Sequence, residues 1–397
     1  MLQLEFLLPW LPWIIILLIW IILIGLASVY NLEKYRLEIG PFMLFWRTER
    51  FNNLLDRIGR WNPRAWRYIW SGFIGVAFFF SLYGFYYLIL NVWEFIKAFL
   101  GVPGGTPGPV APLIPGVTMS FQFFLMILIP LMVAIIMHEL AHGIAARADN
   151  IPVKSSGIFA FLIFFGAFVE PDEEFVKIKS TRSQRARLFA SGSGVNIVIA
   201  LAAIGLATLI VIPVPSGVLI QSIVPGSAAD IGGLTPGMVI TGMNGTAIQT
   251  ADDLGLFMDS ALPGDLVIFT ANGATKPVVV GAHPDNASQA YIGIYLSTYF
   301  PLQFPFSLLG PLGGIEFQRG LLWFIMITFS LGIINLLPIP PLDGDRLWKE
   351  LIDATVSLER TVGRALLWGL RITALATLIA NIVFTVMNPE LLLMFFG

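Results

Sequence analysis

The chain has 397 residues, 56% of them apolar and only 12% charged, and its 23 basic and 25 acidic side chains leave a formal charge of −2. Soluble domains carry about 25% charged residues, so this chain cannot coat the surface of a soluble enzyme, and its hydrophobicity excludes disorder. The near-neutral balance offers nucleic acid no electrostatic footprint, and the absence of cysteine excludes disulfides, thiolate nucleophiles and cysteine-ligated zinc.

A helix needs about 20 mostly apolar residues to cross the hydrocarbon of a bilayer, and six runs come near that length. The first covers about Trp10 to Ser28, starting among Pro9, Trp10 and Pro12. Its length, Glu5 ahead of it and the lack of a preceding basic residue fit a retained helix rather than a cleaved signal. The others are expected over Tyr68 to Val92, Phe121 to Ala146 (kinked at Pro130), Leu188 to Val211, Leu321 to Leu337 and Ala365 to Val386. Between the third and fourth, the Phe-rich run Gly157 to Val169 is too short to cross. It reads as a β-hairpin dipping into protein-lined space, where bare backbone is tolerated.

Basic residues fix the expected sidedness. Segments 30–67, 147–187 and 340–371 hold eight, seven and five Lys or Arg, 20 of the 23 in the chain. These alternate loops are therefore expected in the cytoplasm, with both termini outside. The fold class expected is a polytopic α-helical membrane protein of about six transmembrane helices, with a re-entrant β-hairpin and a small α+β domain outside the membrane.

That domain spans 214–298. It contains short strand-like runs (Val218–Val224, Val267–Thr270, Val278–Val280), the hairpin signal Asn244-Gly245, and Thr250 three residues before Asp253, which starts a helix to about Leu262. The order Gly217-Val-Leu-Ile, Pro225-Gly-Ser-Ala-Ala, Leu234-Thr-Pro-Gly-Met-Val-Ile and Met243-Asn-Gly resembles a bacterial-type PDZ domain. The resemblance implies capture of a peptide chain end by strand addition, beside a carboxylate-holding loop near Ser216 to Leu219. A structural cap without a ligand is the competing reading. The remaining organisation is 1–118, two transmembrane helices with a basic cytoplasmic loop; 119–213, a membrane half with the hairpin; and 299–397, a second membrane half.

The chemistry concentrates in the third run. Two of only three histidines stand there as His138-Glu139-Leu140-Ala141-His142. Positions i and i+4 share one helix face, so both imidazoles can grip one ion while Glu139 reaches the water on it. Ionisable groups inside an apolar helix are costly and call for a reason. Zinc with two His needs a third protein ligand. His283 lies in the outer domain, across the membrane. The fifth run descends to the cytoplasmic side and ends in Asn335-Leu-Leu-Pro-Ile-Pro-Pro-Leu-Asp343-Gly-Asp-Arg346. Asp343 is preferred, because Gly344 allows a sharp turn there and the rival Asp345 has Arg346 beside it as a partner. Glu170 and Glu316 are weaker rivals.

These residues resemble the site-2 protease family of intramembrane zinc metalloproteases: His138 to His142 in one span, Asn335 to Gly344 in another, and the small-residue run Ser191-Gly-Ser-Gly-Val-Asn196 between them. The PDZ-like insert also fits many members, whereas Asp345 stands where a second glycine is usual. The resemblance implies one Zn²⁺ per chain on His138, His142 and Asp343, near the cytoplasmic side, with Glu139 as the proton carrier for peptide hydrolysis. Asn335 and Asn196 are candidates for holding the oxyanion or the substrate backbone, with a structural role as the alternative for each. Implied partners are transmembrane protein substrates and the lipid bilayer. A membrane transporter and a catalytically silent binding module are the alternatives of other classes.

Overall fold

The structure is a computed structural model that describes residues 11–30, 34 and 36–396; Glu5, Pro9 and Trp10, used above for the first span, lie outside them. The chain divides into two compact units, residues 1–201 with 324–397, and residues 202–323.

Five helices among the described residues are long and apolar enough to cross a membrane: α3 (Pro63–Phe99), α4 (Phe121–Ala148), α6 (Arg182–Ile210), Phe306–Asn335, of which Gly310–Asn335 is α9, and α11 (Thr361–Met387). They coincide with the second to sixth expected spans. The first expected span is α1 (Leu11–Val29), whose apolar stretch Leu11–Ala27 is shorter. α3 exceeds its expectation at both ends. Asn62 caps it, accepting from Ala65 N, with Pro63 in the first turn. Its buried residues Trp70, Ala77, Ser81, Gly84, Leu88, Asn91 and Phe95 recur every three, four or seven positions, so one stripe faces protein. Gly84 leaves room for Ile333, where a Cβ would collide with that side chain. Asn91 closes a polar knot: its amide nitrogen donates to Gly108 O at 2.8 Å and Asn381 Oδ1 at 2.7 Å. Gly108 N donates back to Asn91 Oδ1 at 2.7 Å, tying the Gly/Pro-rich loop to α3 and α11.

The hairpin is longer than expected, with β3 at Val153–Phe161 and β4 at Phe164–Pro171. The loop before α3, read from sequence only as a basic segment, holds β1 (Leu37–Ile39), β2 (Met43–Arg47) and α2 (Glu49–Gly59). All four strands form one antiparallel sheet in the order β1-β2-β3-β4, with Met43 opposite Phe161 and Arg47 opposite Gly157. β3 is therefore paired on both sides and β4 leaves its outer edge open. Arg47 binds the sheet laterally, donating to Glu38 Oε1 at 2.9 Å, to Ser155 Oγ and to Glu170 Oε2 at 3.1 Å. α2 packs behind α4: Leu55, fully buried, lies against Gly143, whose missing side chain makes the space. Ser156 Oγ donates to Asn52 Oδ1 at 2.5 Å and joins α2 to the sheet.

The second unit contains the strands expected for 214–298 together with the ends of α6 and α9. Its main sheet runs β12 (Ile294–Thr298), β5 (Val218–Ile223), β6 (Val239–Met243), β8 (Leu266–Ala271), β9 (Ala274–Val279), with β7 (Thr246–Ala247) paired to β6. A separate hairpin joins β10 (Gly281–His283) to β11 (Asn286–Tyr291). Asn244 and Gly245 both adopt positive φ, 50° and 84°, as a tight hairpin turn requires. Two short helices complete the unit, α7 (Ala228–Ile231) and α8 (Ala251–Ser260). Thr250 and Asp253 form a reciprocal cap at the start of α8. The core is Val218, Ile220, Ile240, Met243 and Phe269, all fully buried. β5, which follows the loop at Ser216 to Leu219, has β12 on one side and β6 on the other. The outer strands of this sheet are β12 and β9, and β12 pairs with Val218 and Leu219 of that loop.

Candidate metal centre

α4 is started by Ser120, whose hydroxyl accepts from Phe123 N at 3.1 Å, and runs unbroken through Pro130. Its C-terminal end is anchored by Asp149, almost fully buried, which takes Arg187 of α6 on both oxygens (2.7 and 2.8 Å) and Arg67 of α3 at 3.1 Å. Ala141, Ala145, Ala146 and Ala148 keep this end narrow enough for close packing. Held in this way, α4 presents His138 and His142, 7% and 9% exposed, on the same side.

The third group arrives from the other half of the chain. After α9 the backbone turns through residues 336–342, and α10 (Asp343–Thr355) begins at Asp343. The turn is fastened to α3: Ser81 donates to Leu336 O at 2.7 Å and accepts from Trp348 Nε1 at 2.8 Å. Gly344 lies so close to Leu336 that any Cβ would overlap its backbone carbonyl. Asp343 and Asp345 occupy the first turn, where the helix dipole favours acids.

The three groups converge. His138 Nε2 and His142 Nε2 are 3.1 Å apart, and Asp343 Oδ2 lies 3.2 Å from the first and 2.9 Å from the second. Four bonds of about 2.0 Å in a tetrahedron set their ends about 3.3 Å apart, so the spacing suits a small divalent ion. The hydrogen-bond chemistry agrees. His142 Nδ1 stands 2.8 Å from Leu188 O, which only accepts, so that nitrogen carries a hydrogen and a neutral ring turns a bare lone pair at Nε2 toward the other two groups. Ser191 Oγ lies 3.3 Å from the same Nδ1. His138 Nδ1 is buried without a partner among the described residues. Burial alone would raise the Asp343 carboxyl, but the two facing imidazoles hold it well below the usual carboxylate range.

One side of the cluster is kept clear by Gly192 of α6. A Cβ there would strike His142 Nε2 and come within 2.8 Å of His138 Nε2. Sequence reasoning noted the run Ser191 to Asn196 without finding this role, which only the packing of α6 on α4 reveals. Glu139 sits beside the cluster, and its Oε2 accepts from Val169 N of β4 at 3.1 Å. The open edge of the sheet therefore ends at the glutamate.

The rival ligands are engaged elsewhere. Asp345 does not pair with Arg346, as expected from adjacency, because neighbouring helical residues point about 100° apart. It takes Arg371 of α11 instead, at 2.6 and 2.8 Å, while Arg346 lies over the Phe189 ring. Glu170 is bound by Ser155 at 2.6 Å and by Arg47, which lower its pKa from the ordinary value against the opposing effect of burial. Glu316 pairs with Arg319 on its own helix at 2.9 Å, and His283 packs on Tyr291 in the second unit. Asn335 is half-buried at the last residue of α9, and its amide has no hydrogen bond among the described residues. Asn196 is fully buried on α6, with both amide atoms unpartnered there as well.

Comparison with known proteins gives this geometry its context. The profile of Peptidase family M50, the site-2 protease family, matches residues 126–372, and the chain belongs to that family. An uncharacterized protein of Methanocaldococcus jannaschii is 28% identical over 349 residues, covering 85% of this chain and 84% of its own. A Clostridium perfringens protein provisionally named a zinc metalloprotease is 26% identical over 316 residues, covering 60% of this chain and 92% of its own. Family and helices together make this a multi-pass membrane metallopeptidase.

Proposed function

We propose that the chain is a zinc-dependent endopeptidase that cleaves transmembrane segments of membrane-tethered proteins, with His138, His142 and Asp343 holding the ion and Glu139 moving the proton. The observation that carries this reading is the meeting of two imidazole nitrogens and one carboxylate oxygen from opposite halves of the chain within 3.2 Å of one another. Zn²⁺ in this position would supply Lewis acidity, polarising the scissile carbonyl and acidifying a water molecule. Glu139 takes the proton from that water and returns it to the departing amide nitrogen, so that one peptide bond and one water become a carboxylate and an amine. With Oε2 engaged by Val169 N, Oε1 is the oxygen left for this transfer.

A helix hides its peptide bonds, so the substrate must unwind and lie extended. The outer edge of β4 is the place to receive it, because β2 already covers β3 and the Val169 N–H at that edge meets Glu139. Asn196 and Asn335 are candidates to bind the substrate backbone or the oxyanion, supported for Asn196 by a buried amide without a partner among the described residues and for Asn335 by its place at the end of α9, close in sequence to Asp343. We count α1 as a sixth crossing. The clustering of 20 basic residues in alternate loops supports a cytoplasmic site with both termini outside. We assign 214–298 as a PDZ-like domain that filters or captures peptide ends at the edge of β12. No feature of the structure favours a transporter or a silent binding module.

The test is Glu139→Gln in the full chain, reconstituted with a transmembrane substrate. Hydrolysis should fall about 10²–10⁴-fold while zinc, measured by elemental analysis, stays at one per chain. Undiminished cleavage would remove Glu139 from the mechanism, and absence of zinc from the active unmodified protein would remove the metal.

A further inference from the structure

Arg371 lies in the first half of the apolar helix α11, two turns after Arg364, and an ionisable group at such a place calls for a partner. Its side chain is 18% exposed, and it makes a two-pronged contact with Asp345, itself 8% exposed: Nε to Oδ1 at 2.6 Å and Nη2 to Oδ2 at 2.8 Å. The Trp368 ring lies 5.1 Å from the guanidinium and braces it from its own helix. A planar fork of this kind fixes orientation as well as distance.

Asp345 follows Asp343 by two residues on α10. At 100° per residue the two carboxylates point about 200° apart, to opposite sides of the same helical turn. One side meets the imidazoles and the other meets Arg371. The residue between them, Gly344, is pressed on the Leu336 backbone. The first turn of α10 is thus held in three directions. Trp348, through Ser81, and Glu350, through Arg185, fix the helix farther along, and within the first turn the Arg371 contact is the ion pair that opposes rotation of Asp343 away from His138 and His142.

We infer that Arg371 is a positioning residue: through its paired contact with Asp345 it fixes the rotation of the first turn of α10 and so aims Asp343 at the metal. This rests on the ligand assignment proposed above. It gives a purpose to the acidic residue that stands here in place of a second glycine, and makes the last long helix part of the metal centre without touching the metal.

The experiment uses full-length protein in detergent. Zinc affinity is read by competition with a chromophoric chelator, and the thermal midpoint is read after metal stripping. Removing one partner would strand a buried charge and destabilise the protein, so the decisive variant removes both, Asp345→Gly with Arg371→Leu. Zinc affinity should fall about 10–100-fold, with the midpoint of the stripped protein nearly unchanged. Arg371→Lys, which keeps a charge but not the fork, should fall between the two. A loss of less than about threefold in the double variant, or a loss matched by a general fall in metal-free stability, overturns the inference. If the double variant does not accumulate, the same threshold applied to Arg371→Lys decides. Asp343→Ala separates this from the ligand assignment. Unchanged zinc affinity there sinks the assignment itself, whereas zinc lost in Asp343→Ala but kept in the double variant sinks only the positioning role.

Discussion

Gly192→Ala offers the sharpest test of the metal centre, because it should remove metal binding at only a modest cost to the metal-free fold. Residue 192 lies within α6, where alanine favours the helix over glycine by about 1 kcal/mol. Its new methyl would sit 2.8 Å from His138 Nε2 and closer still to His142 Nε2. Ordinary contact begins at about 3.4 Å, so His138 must retreat by about 0.6 Å and His142 by more. Metal bonds tolerate shifts of about 0.2 Å. Both imidazoles would therefore leave bonding range, and zinc affinity should drop about 100-fold or more. The assay pairs chelator competition with thermal unfolding of the metal-stripped protein. The expected result is nearly complete loss of zinc beside a metal-free thermal midpoint lowered only modestly, because the helix gain offsets part of an overpacking cost of about 1–3 kcal/mol. An alanine variant that binds zinc as tightly as the unmodified protein would refute the view that α6 keeps the ion's place clear.

Val169→Pro removes the one N–H that β4 turns toward Glu139 while sparing the pairing with β3, since that N–H faces the open edge. A hydrogen bond to a charged group is worth about 1.5–3 kcal/mol, so turnover should fall about 10–100-fold with zinc content unchanged; an unaltered rate would argue against the edge as the place of reaction. Leu55→Ala empties a fully buried site against Gly143 and should cost about 2–5 kcal/mol. Chemical denaturation of the purified protein would show it, and a change below about 1 kcal/mol would mean that α2 does not brace α4.

Features set by neighbouring residues were legible in the sequence. The spans were readable from hydropathy, the Asn244-Gly245 turn from its need for two positive φ angles, and the cap of α8 from Thr250 and Asp253 three residues apart. The pentad and Asp343 could be paired because the fifth run is expected to end at the depth of the pentad, with Asp345 as the rival two residues on. Features set by distant packing were not legible. β1 and β2 are too short to announce themselves; β2 exists by pairing with β3 more than 100 residues later, and β1 by pairing with β2. The partner of Asp345 was sought in the next residue, but helix geometry sends that side chain to α11. Gly192 was noted as one of several small residues, and its particular task depends on which helix it faces.

The sheet carries a lesson for anyone shortening this protein. The portion shared with the family profile begins at residue 126, yet two of the four strands and the wedge behind His142 come from residues 37–59. A fragment trimmed to the shared portion would move the far border of the sheet from β1 to β3, unpairing residues 157–161 that β2 covers. On the proposal that substrate docks at the β4 edge, the new border would be a rival one strand away from it. On that proposal, the early segment keeps the rival border two strands farther from Glu139.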